Sequence, residues 1–552
     1  MKNKVLRFLK TYGSWVLSGI LLIFSFPPTG IPFLGFLALI PAIYRSYKDN
    51  LTSTLIGSSI LSILFWSITV DWFISFHPLA LVGIIFGLYF YTVIPFLIFS
   101  SISKNFKEDG ILTFPFIWVG FEYLRSNGFW SLPIIYLAHT QYHFAITKNQ
   151  ILEILNGAIP SLAQIFGVFG VSFVVALFNS LILIFVIKLI KTKTLSNIAK
   201  LRQSYPLIIV ILITLIGIIL FISSKSAYEN SQGETIEAAL LQPNFSPWEK
   251  LFARDFGKLE DVISMYREGA KNSDIVIPCE SILRDPVNVY YNFGDPFGIK
   301  AMNIGKELKK PIILTYPHRQ TVLSNTTIIR NGKPLTIVQE ITLYYNSAVF
   351  FDKNGNKITR YDKVHTVPFG EWTPFAEYIP YLRETINAIV GGDLTPGKEF
   401  MVIPVEIKPN VIVNIAPIIC FEDLYPYITK ILKKKKATLL VNMTNDGWAN
   451  SIRSQWQHLI GAMYRSIETG LPMVRATNTG RTALILPYGK IISTIDDFKK
   501  GIMIAKIKLV SLETHFYKWG DIFFIIFLLV GNTLIFFYPL ITSVFRKILF
   551  RA

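Results

Sequence analysis

Residues 411–423 read VIVNIAPIICFED. The segment 411–419 is an almost unbroken apolar run rich in β-branched residues, which predicts a buried strand. The run ends at Cys420, and an aromatic and two acidic residues follow it. Reactive or ionisable groups just past a buried strand are typical of active sites in α/β domains. We therefore expect Cys420 to lie at the end of a strand in such a domain.

Other short apolar runs surround this segment and alternate with helical patterns, such as 250–271. A hairpin turn is predicted at 352–355, which reads DKNG. This alternation is typical of an α/β domain in which helices cover a sheet. The other predicted strands are 236–242, 275–278, 311–315, 348–351 and 439–442.

Three predicted strand ends carry a side chain that could take part in acyl transfer: Glu280, Lys363 and Cys420. A thiol attacks a carbonyl only as the thiolate, so it requires a base or a nearby cation. Glu280 could take the thiol proton, and Lys363 could lower the thiol pKa and stabilise the oxyanion. On residue type alone this remains open, because a buried cysteine is more often an inert apolar side chain.

The remaining cysteine and the histidines have ordinary interpretations. Two cysteines are too few for a disulfide framework, although a single bridge stays possible. Cys279 precedes Glu280 in the chain, and consecutive strand residues point to opposite faces, so Cys279 should point away from the site. His365 and His458 are expected to be structural, since none of the seven histidines has a metal-ligand spacing. We predict neither a metal nor a cofactor.

The composition requires a solvent other than water for part of the chain, because 51% of the 552 residues are hydrophobic and only 16% are charged. The apolar residues dominate the first 225 positions and the last 35. We predict an α-helical membrane domain over 1–224, an α/β domain over 225–516, and a last helix with a basic tail over 517–552. The predicted spans are 12–26, 31–47, 52–75, 79–103, 111–126, 161–188, 205–224 and 517–541.

Loop charge predicts the orientation, because basic loops stay on the cytoplasmic side. With eight spans, all the basic segments fall on one side and the α/β domain on the other. The net charge of +18 is accounted for by these loops beside anionic lipid, which argues against nucleic-acid binding. The basic residues lie at Lys2, Lys4, Arg7, Lys10, Arg45, Lys48, Lys104, Lys107, Lys188, Lys191, Lys193, Lys200, Arg202, Arg546, Lys547 and Arg551.

Several motifs together resemble the nitrilase superfamily. The segment 361–371, YDKVHTVPFGE, is similar to its lysine motif, CFED at 420–423 to its cysteine elbow, and PCE at 278–280 to its base motif. Within that superfamily the chain resembles the apolipoprotein N-acyltransferase family. Further similarities to that family are WVGFEYLR at 118–125, QIFGVFGVSF at 164–173, NMTNDGW at 442–448 and WQH at 456–458.

The resemblance implies a nitrilase-like α-β-β-α sandwich and a role for each matching residue. Glu280 becomes the general base, Lys363 the oxyanion-stabilising cation and Cys420 the acylated nucleophile. Glu371 and Glu422 match two acidic residues that orient Lys363 and tune its charge.

Other residues take supporting or substrate roles by the same resemblance. Phe421 and Trp448 are expected to support the site, and Trp248, Trp372 and Asn445 to contact substrate. The chain departs from the family pattern at Phe421, where Tyr is common, at Cys279, and at Leu251, where Trp is expected.

Two further segments leave alternatives open. The region 368–399 is rich in Pro, Gly and aromatic residues, so it is either a lid that dips into lipid and gates acyl-chain entry or a packed loop over the sheet edge. Glu122 and Arg125 lie within an apolar segment, where buried charges are usually paired. They are expected to form either a structural ion pair or a contact to a lipid headgroup or substrate.

The implied reaction moves an acyl chain from a membrane phospholipid to Cys420 and then to the N-terminal α-amine of a diacylglyceryl-cysteine apolipoprotein. The expected location is the bacterial inner (cytoplasmic) membrane, multi-pass, with the catalytic domain on the periplasmic side. The partners are phospholipid, apolipoprotein and the bilayer. Two alternatives remain: a membrane-tethered amidase that hydrolyses a small amide, and a non-catalytic membrane scaffold.

Overall fold

The computed structural model describes residues 2–127, 131–191, 204–246, 256–283, 287–288, 293–294, 296–330, 333–373 and 393–549. A helical part comes first, an α/β part follows, and a long helix ends the chain. The predicted domain limits at 224 and 516 stay a prediction; helix continues to Asn230, and the first strand begins at Thr235.

Apolar stretches of the helical part form helices because a helix satisfies its own backbone polar groups where water is absent. Short 3₁₀ turns connect several of them, among them Asp71–Ser75. The described helices of this part are α1 Lys2–Ser25, α2 Ile40–Lys48, α3 Leu51–Thr69, α4 Pro78–Ile102, α5 Phe114–Asn127, α6 Gln150–Ser161, α7 Ala163–Lys191 and α8 Tyr205–Asn230.

Four helices among the described residues are long and apolar enough to cross a membrane. They correspond to the predicted spans 52–75, 79–103, 161–188 and 205–224, and the last two run on to Lys191 and Asn230. The predicted span 31–47 is not one helix. It consists of the 3₁₀ turn Pro32–Phe36 and the nine-residue α2. A proline sits at the start of each piece, where its missing N–H costs nothing, so each proline begins a new helix.

The helix α7 is broken near its start. Gly167 has φ 68° and ψ −176°, and a Cβ there would lie 2.3 Å from the Phe516 ring. Only glycine meets both requirements without strain. The C-terminal helices are α13 Phe516–Trp519 and α14 Asp521–Leu549, so the predicted span 517–541 begins after a short separate turn.

The loops at the two ends of the helical part make different contacts. At one end Lys104 donates to the carbonyl of Asp49 at 2.6 Å, and Lys188 lies 3.6 Å from Asp109. At the other end the helical part contacts the α/β part: Ser75 donates to the carbonyl of Ala449 at 3.0 Å. The basic loops 45–49, 104–109 and 188–191 therefore gather at the end away from the α/β part.

Two six-stranded sheets form the α/β part. The first has the order β14-β1-β2-β5-β6-β7 and the second β13-β12-β11-β10-β9-β8, and β3 pairs with β4 separately. The strands are β1 Thr235–Gln242, β2 Ile275–Ile277, β3 Val287–Asn288, β4 Phe293–Gly294, β5 Ile312–Arg330, β6 Lys333–Phe351, β7 Lys357–Asp362, β8 Ile403–Lys408, β9 Val411–Ile419, β10 Leu439–Thr444, β11 Met473–Thr477, β12 Ala483–Ile485, β13 Ile491–Thr494 and β14 Gly501–Lys508.

Helices cover the outer faces of both sheets. One buried apolar cluster lies between the sheets and includes Leu240 and Val413. A second lies between the first sheet and its helices and includes Tyr266. A third continues from the second sheet's helices into the helical part, so the α/β part is seated on the helical part by that layer. The helices are α9 Phe256–Asn272, α10 Pro296–Leu308, α11 Pro426–Lys434 and α12 Ile452–Thr469.

Candidate active site

Cys420 lies at a sharp turn after β9. Its φ is +54°, and the 3₁₀ turn Cys420–Leu424 begins with it. A non-glycine residue in this conformation costs about 1–3 kcal/mol and persists only where the surroundings fix it. One such constraint is Asn442, whose Nδ2 donates to the carbonyl of Cys420 at 3.2 Å. The turn places the thiol at the carboxyl end of the second sheet.

Glu422 joins this turn to the end of β7. Its Oε1 accepts the backbone N–H groups of Val364 at 2.8 Å and His365 at 3.0 Å, and its Oε2 accepts that of Ile419 at 2.8 Å. The Tyr361 hydroxyl lies 2.9 and 2.8 Å from the two oxygens. The side chain is fully buried. Glu422 therefore fixes the cysteine turn relative to the strand end that carries Lys363. No direct ion pair joins the described side chains of Glu422 and Lys363.

Lys363 is held by two carboxylates. Its Nζ lies 2.8 Å from both oxygens of Glu371 and 3.9 Å from Oε1 of Glu280. Asn346 donates to Glu280 at 2.6 Å and to Glu371 at 3.3 Å, which ties the two acids together. Glu371 also accepts the backbone N–H of Val367 at 2.9 Å. The lysine is only 1% exposed, so its charge is compensated almost entirely by these neighbours.

Burial and charge together set the protonation states of the site. Burial raises the pKa of Glu280, with the Glu371 charge adding to it, while Lys363 and hydrogen bonds from Asn346 and Cys420 oppose the rise. Burial lowers the pKa of Lys363, but the charges of Glu371, Cys420 and Glu280 outweigh it and raise the pKa above its ordinary value. Burial and the Glu280 charge raise the pKa of the Cys420 thiol.

These shifts set the resting state of Lys363 and Cys420. Lys363 stays a cation and Cys420 a neutral thiol at neutral pH, and the charges of Glu280 and Lys363 both act on the thiol. The arrangement can therefore move the thiol proton to Glu280 when the thiol attacks a carbonyl. The Lys363 ammonium is then available for the negative charge that develops on the attacked oxygen.

Cys279 is in a different environment from Cys420. It is 1% exposed and belongs to the apolar cluster between the first sheet and its helices, whereas Cys420 belongs to the cluster between the sheets. Neither cysteine is in a disulfide bond. The alternation that separated Cys279 from Glu280 in the sequence is thus the arrangement found, and no Cys279–Cys420 bridge forms.

A buried polar network behind the cysteine turn was missed by the sequence reasoning. His458 lies between Asp423 at 2.7 Å and Asp446 at 2.6 Å, and Arg475 bonds the same two acids at 2.7 and 2.6 Å. Arg475 also donates to Asn442 at 2.7 Å. Because Asn442 donates to the Cys420 carbonyl, the network supports the turn. An arginine inside the apolar strand β11 is the signal that could have revealed it.

The charged groups of this network shift one another's pKa values. Burial and Arg475 lower the pKa of His458, but Asp423 and Asp446 outweigh them and raise it to about 9. Burial raises the pKa of Asp446, but His458 and Arg475 outweigh it and hold it below its usual range. His458 is therefore a cation at neutral pH with a structural position, as expected for it from the sequence.

The other predicted residues are less closely connected to the cysteine. Phe421 packs against the His458 ring, with centroids 5.0 Å apart. Asn445 accepts hydrogen bonds from Gly447 and Asn478 at 3.3 and 2.9 Å, so its amide oxygen is already used within the fold. Trp372 follows Glu371, and its carbonyl accepts the N–H of Phe369. Trp448 lies in the 3₁₀ turn Asp446–Ala449.

Some sequence predictions cannot be placed. Trp248 and Leu251 lie outside the described residues, as do residues 374–392 of the predicted lid. The supporting and substrate-contact roles predicted for Phe421, Trp448, Trp248, Trp372 and Asn445 therefore stay predictions.

Glu122 and Arg125 do not form an ion pair within the described part of the chain. Arg125 donates instead to the carbonyls of Leu132, Ile134 and Ile135 at 2.7–3.2 Å, and Glu122 accepts the N–H of Leu137 at 2.9 Å. Both side chains are buried and hold the loop 132–137 in place. The expected direct pair is wrong, because the two charges are compensated by loop backbone groups.

Among the described residues, no group of three or more His, Cys, Asp or Glu side chains has an arrangement that could hold a metal ion.

Comparison with known proteins identifies the family. A model of the apolipoprotein N-acyltransferase N-terminal domain matches residues 18–181, and a model of the carbon-nitrogen hydrolase domain matches 309–515. The apolipoprotein N-acyltransferase 1 of Treponema denticola is 27% identical over 542 residues, which covers 95% of both chains. The chain belongs to the apolipoprotein N-acyltransferase family. The α/β part is its carbon-nitrogen hydrolase domain, a nitrilase-like fold.

Two further proteins, one a sequence relative and one a solved structure, are also similar to this chain. The apolipoprotein N-acyltransferase of Borreliella burgdorferi is 29% identical over 524 residues, covering 92% of this chain and 91% of that one. Among solved structures, a carbon-nitrogen hydrolase from Helicobacter pylori aligns with 50% of this chain and 90% of its own, with 17% identity and a TM-score of 0.34. Relatives of the apolipoprotein N-acyltransferase family thus match the chain along nearly its whole length.

Proposed function

We propose that this membrane protein transfers an acyl chain from a membrane phospholipid, through a thioester on Cys420, to the N-terminal α-amine of a diacylglyceryl-cysteine apolipoprotein. Membership of the apolipoprotein N-acyltransferase family supports the reaction. The observation that carries the mechanism is the convergence of Glu280, Lys363 and Cys420 at the carboxyl ends of two facing sheets.

In the first half-reaction the thiol sulfur of Cys420 attacks the ester carbonyl of the phospholipid. Glu280 takes the thiol proton as the carbon–sulfur bond forms, and the Lys363 ammonium stabilises the oxyanion. The carbon–oxygen bond of the ester then breaks. Glu280 returns the proton to the departing oxygen, which leaves a lysophospholipid and the acyl thioester.

In the second half-reaction the α-amine of the acceptor attacks the thioester carbonyl. Lys363 again stabilises the oxyanion, and Glu280 accepts a proton from the attacking nitrogen. The carbon–sulfur bond breaks, and the proton on Glu280 passes to the departing sulfur. The products are an amide-linked lipoprotein and free Cys420, so atoms and charge balance without a cofactor.

Glu371 and Glu422 have different parts in this scheme. Glu371 holds Lys363 at 2.8 Å and keeps it charged, whereas Glu422 positions the Cys420 turn through the backbone. Neither needs to touch substrate. Both are therefore positioning residues.

We further propose eight membrane spans in the bacterial inner membrane, with the catalytic domain on the periplasmic side. Gathering of the basic loops at the end away from the α/β part supports this orientation. A cysteine placed at Lys435 in a Cys420→Ala background should react with an impermeant maleimide in intact cells, and one placed at Lys104 should not. The reverse labelling would contradict the orientation.

The reaction is tested by its product. Detergent-purified protein is incubated with phospholipid vesicles and a diacylated lipopeptide, and N-acyl lipopeptide and lysophospholipid are quantified by mass spectrometry. We expect both products in equal amounts from the native chain and neither from Cys420→Ala. Release of free fatty acid without N-acyl lipopeptide would favour a hydrolase, and no turnover at all would favour the scaffold alternative.

A further inference from the structure

Strands β5 and β6 form a ribbon that continues past the candidate active site. The strand β5 runs parallel to β2, with Val276 opposite Ile312, so it extends beyond the sheet end at which Glu280 lies. Asn346, which bonds Glu280, stands opposite Pro317 in the ladder. A further thirteen residue pairs follow, from His318↔Tyr345 to Arg330↔Lys333. At about 3.3 Å per residue this free ribbon is about 40 Å long.

Among the ribbon residues whose side chains are described, one face is exposed and the other is partly buried. On one face Leu323 is 72% exposed and Val338 63%. Among the described residues outside the ribbon, the one backbone hydrogen bond to the ribbon comes from the N–H of Thr395, which donates to the carbonyl of Tyr344 at the base. A two-stranded ribbon of this length has little stability by itself in water, so an additional strand would stabilise it.

Usual protections of an exposed edge are missing. Natural edge strands are interrupted by bulges, lysines or prolines that prevent pairing with another chain. The ladder from residues 318 to 330 has no register shift, whereas the neighbouring β6–β7 ladder has one. Residues 320–329 carry no charge, and Glu340 is the single charged residue of 335–344. With respect to the described residues, the backbone edge beyond Tyr344 is therefore available to an extended polypeptide.

We propose that this ribbon, residues 318–345, binds the polypeptide of the acceptor as an added strand, in the segment that follows the acylated residue. The inference rests on the proposed function, because an acceptor that reacts through its N-terminus must leave the site as an extended chain. The ribbon begins next to Asn346 and leads away from the site, so an acceptor chain leaving the site would run along the ribbon edge. Backbone pairing is independent of sequence, which suits a surface that receives many different polypeptides.

The test compares acceptors of different length on two proteins. The short acceptor is a diacylglyceryl-cysteine followed by one residue, and the long one carries about thirteen. The variant lacks residues 321–328 and 335–342, which removes eight ladder pairs, keeps the alternation of faces and leaves the sequence 329–334 intact. Thioester formation from phospholipid vesicles and transfer to each acceptor are measured separately.

We expect the native chain to use the long acceptor about tenfold better in kcat/KM, which corresponds to ~1.4 kcal/mol, the net contribution of one or two backbone hydrogen bonds. The shortened variant should form the thioester at the native rate and use both acceptors as the native chain uses the short one. A preserved preference for the long acceptor would overturn the proposal, as would a native chain without any preference.

Two other occupants of the ribbon give distinct outcomes. If the ribbon bound lipid, the shortened variant would form less thioester from vesicles, whichever acceptor is present. If it bound a second copy, the native protein would be a dimer and the variant a monomer, with the preference unchanged. Failure of the proposed function is separate from all of these, because it would appear as no thioester on the native chain.

A second measurement keeps the proposal testable if the shortened variant does not fold. An unlipidated peptide with the sequence that follows the cysteine should inhibit transfer to the long acceptor on the native chain and leave transfer to the short acceptor unchanged. Equal inhibition of both transfers, or of neither, would contradict strand addition.

Discussion

Replacing Glu422 by glutamine should uncouple the cysteine turn from the lysine strand without changing the volume of the side chain. The carboxylate accepts three backbone N–H groups and the Tyr361 hydroxyl. A glutamine amide nitrogen cannot accept. Of the two orientations of the amide group, the less costly one places its nitrogen beside the N–H of Ile419, which then has no acceptor. The Tyr361 hydroxyl can rotate to accept a hydrogen bond from the amide nitrogen.

The size of the effect follows from that one lost bond. Leaving a buried N–H without an acceptor costs about 1–3 kcal/mol, and the approach of two donors at the former 2.8 Å contact adds to it. If about 2–3 kcal/mol is lost from the geometry of the acylation step, the rate falls about 30- to 150-fold. The assay is the rate of hydroxylamine-sensitive thioester formation on the intact protein in phospholipid.

Tyr361→Phe is the matched control, because it removes one donor and leaves the carboxylate with its three N–H partners. A hydrogen bond of this kind contributes about 0.5–1.5 kcal/mol, so the rate should fall by less than about tenfold. If folded Glu422→Gln protein formed the thioester at the native rate, Glu422 would not position the cysteine turn. If both variants lost the same rate, the effect would belong to the tyrosine instead.

Three further results are expected. Asn346→Leu should move the acidic limb of the pH profile of thioester formation to higher pH, because the carboxylate of Glu280 loses a charge-assisted hydrogen bond. The reaction at neutral pH should slow at least about tenfold. An unchanged profile would count against Glu280 as the base. Arg475→Met should lower the free energy of unfolding by about 3–5 kcal/mol in thermal unfolding, because it leaves buried carboxylates without their partner. The control Arg267→Ala, at an exposed ion pair, should lower it by at most about 1 kcal/mol. Equal losses would contradict a stabilising role for the buried network. The pKa of His458 in the folded protein, about 9, exceeds its ordinary value, so the charged imidazole stabilises the fold by about 3 kcal/mol. This stabilisation should be complete below about pH 6.5 and lost as the pH rises through 9. A His458→Gln variant that loses the same stability at alkaline pH would refute this.

The elements that sequence alone could locate share one property: their signal is local. The run 411–419 ends in Cys420 within ten residues, so the strand and its reactive end are visible together. The strands β1, β2 and β10 were likewise predicted from short apolar runs. The segment 31–47 is not one continuous helix, for a local reason as well, since its two prolines divide an apolar run into separate pieces.

Other features depend on which strands become neighbours, which the sequence does not state. Tyr361 and Glu422 are 61 positions apart, and Asn346 and Glu280 are 66 apart. Their contacts require the pairing of the two sheets and the turn at Cys420. The 19-residue strands β5 and β6 were predicted only near their buried base, at 311–315 and 348–351. The remaining length mixes Thr, Ser and Asn with apolar residues and has no fully buried face to give a pattern, and the pairing of the two strands was not predicted.

The acyl-enzyme itself tests the central claim most directly. Intact-mass spectrometry of the detergent-purified protein after incubation with phospholipid would compare the native chain, Cys420→Ala and Cys279→Ala. We predict one acyl adduct on the native and Cys279→Ala proteins, sensitive to hydroxylamine and discharged by a diacylated lipopeptide, and none on Cys420→Ala. An adduct that persists in Cys420→Ala, or is absent from the native chain, would contradict the account.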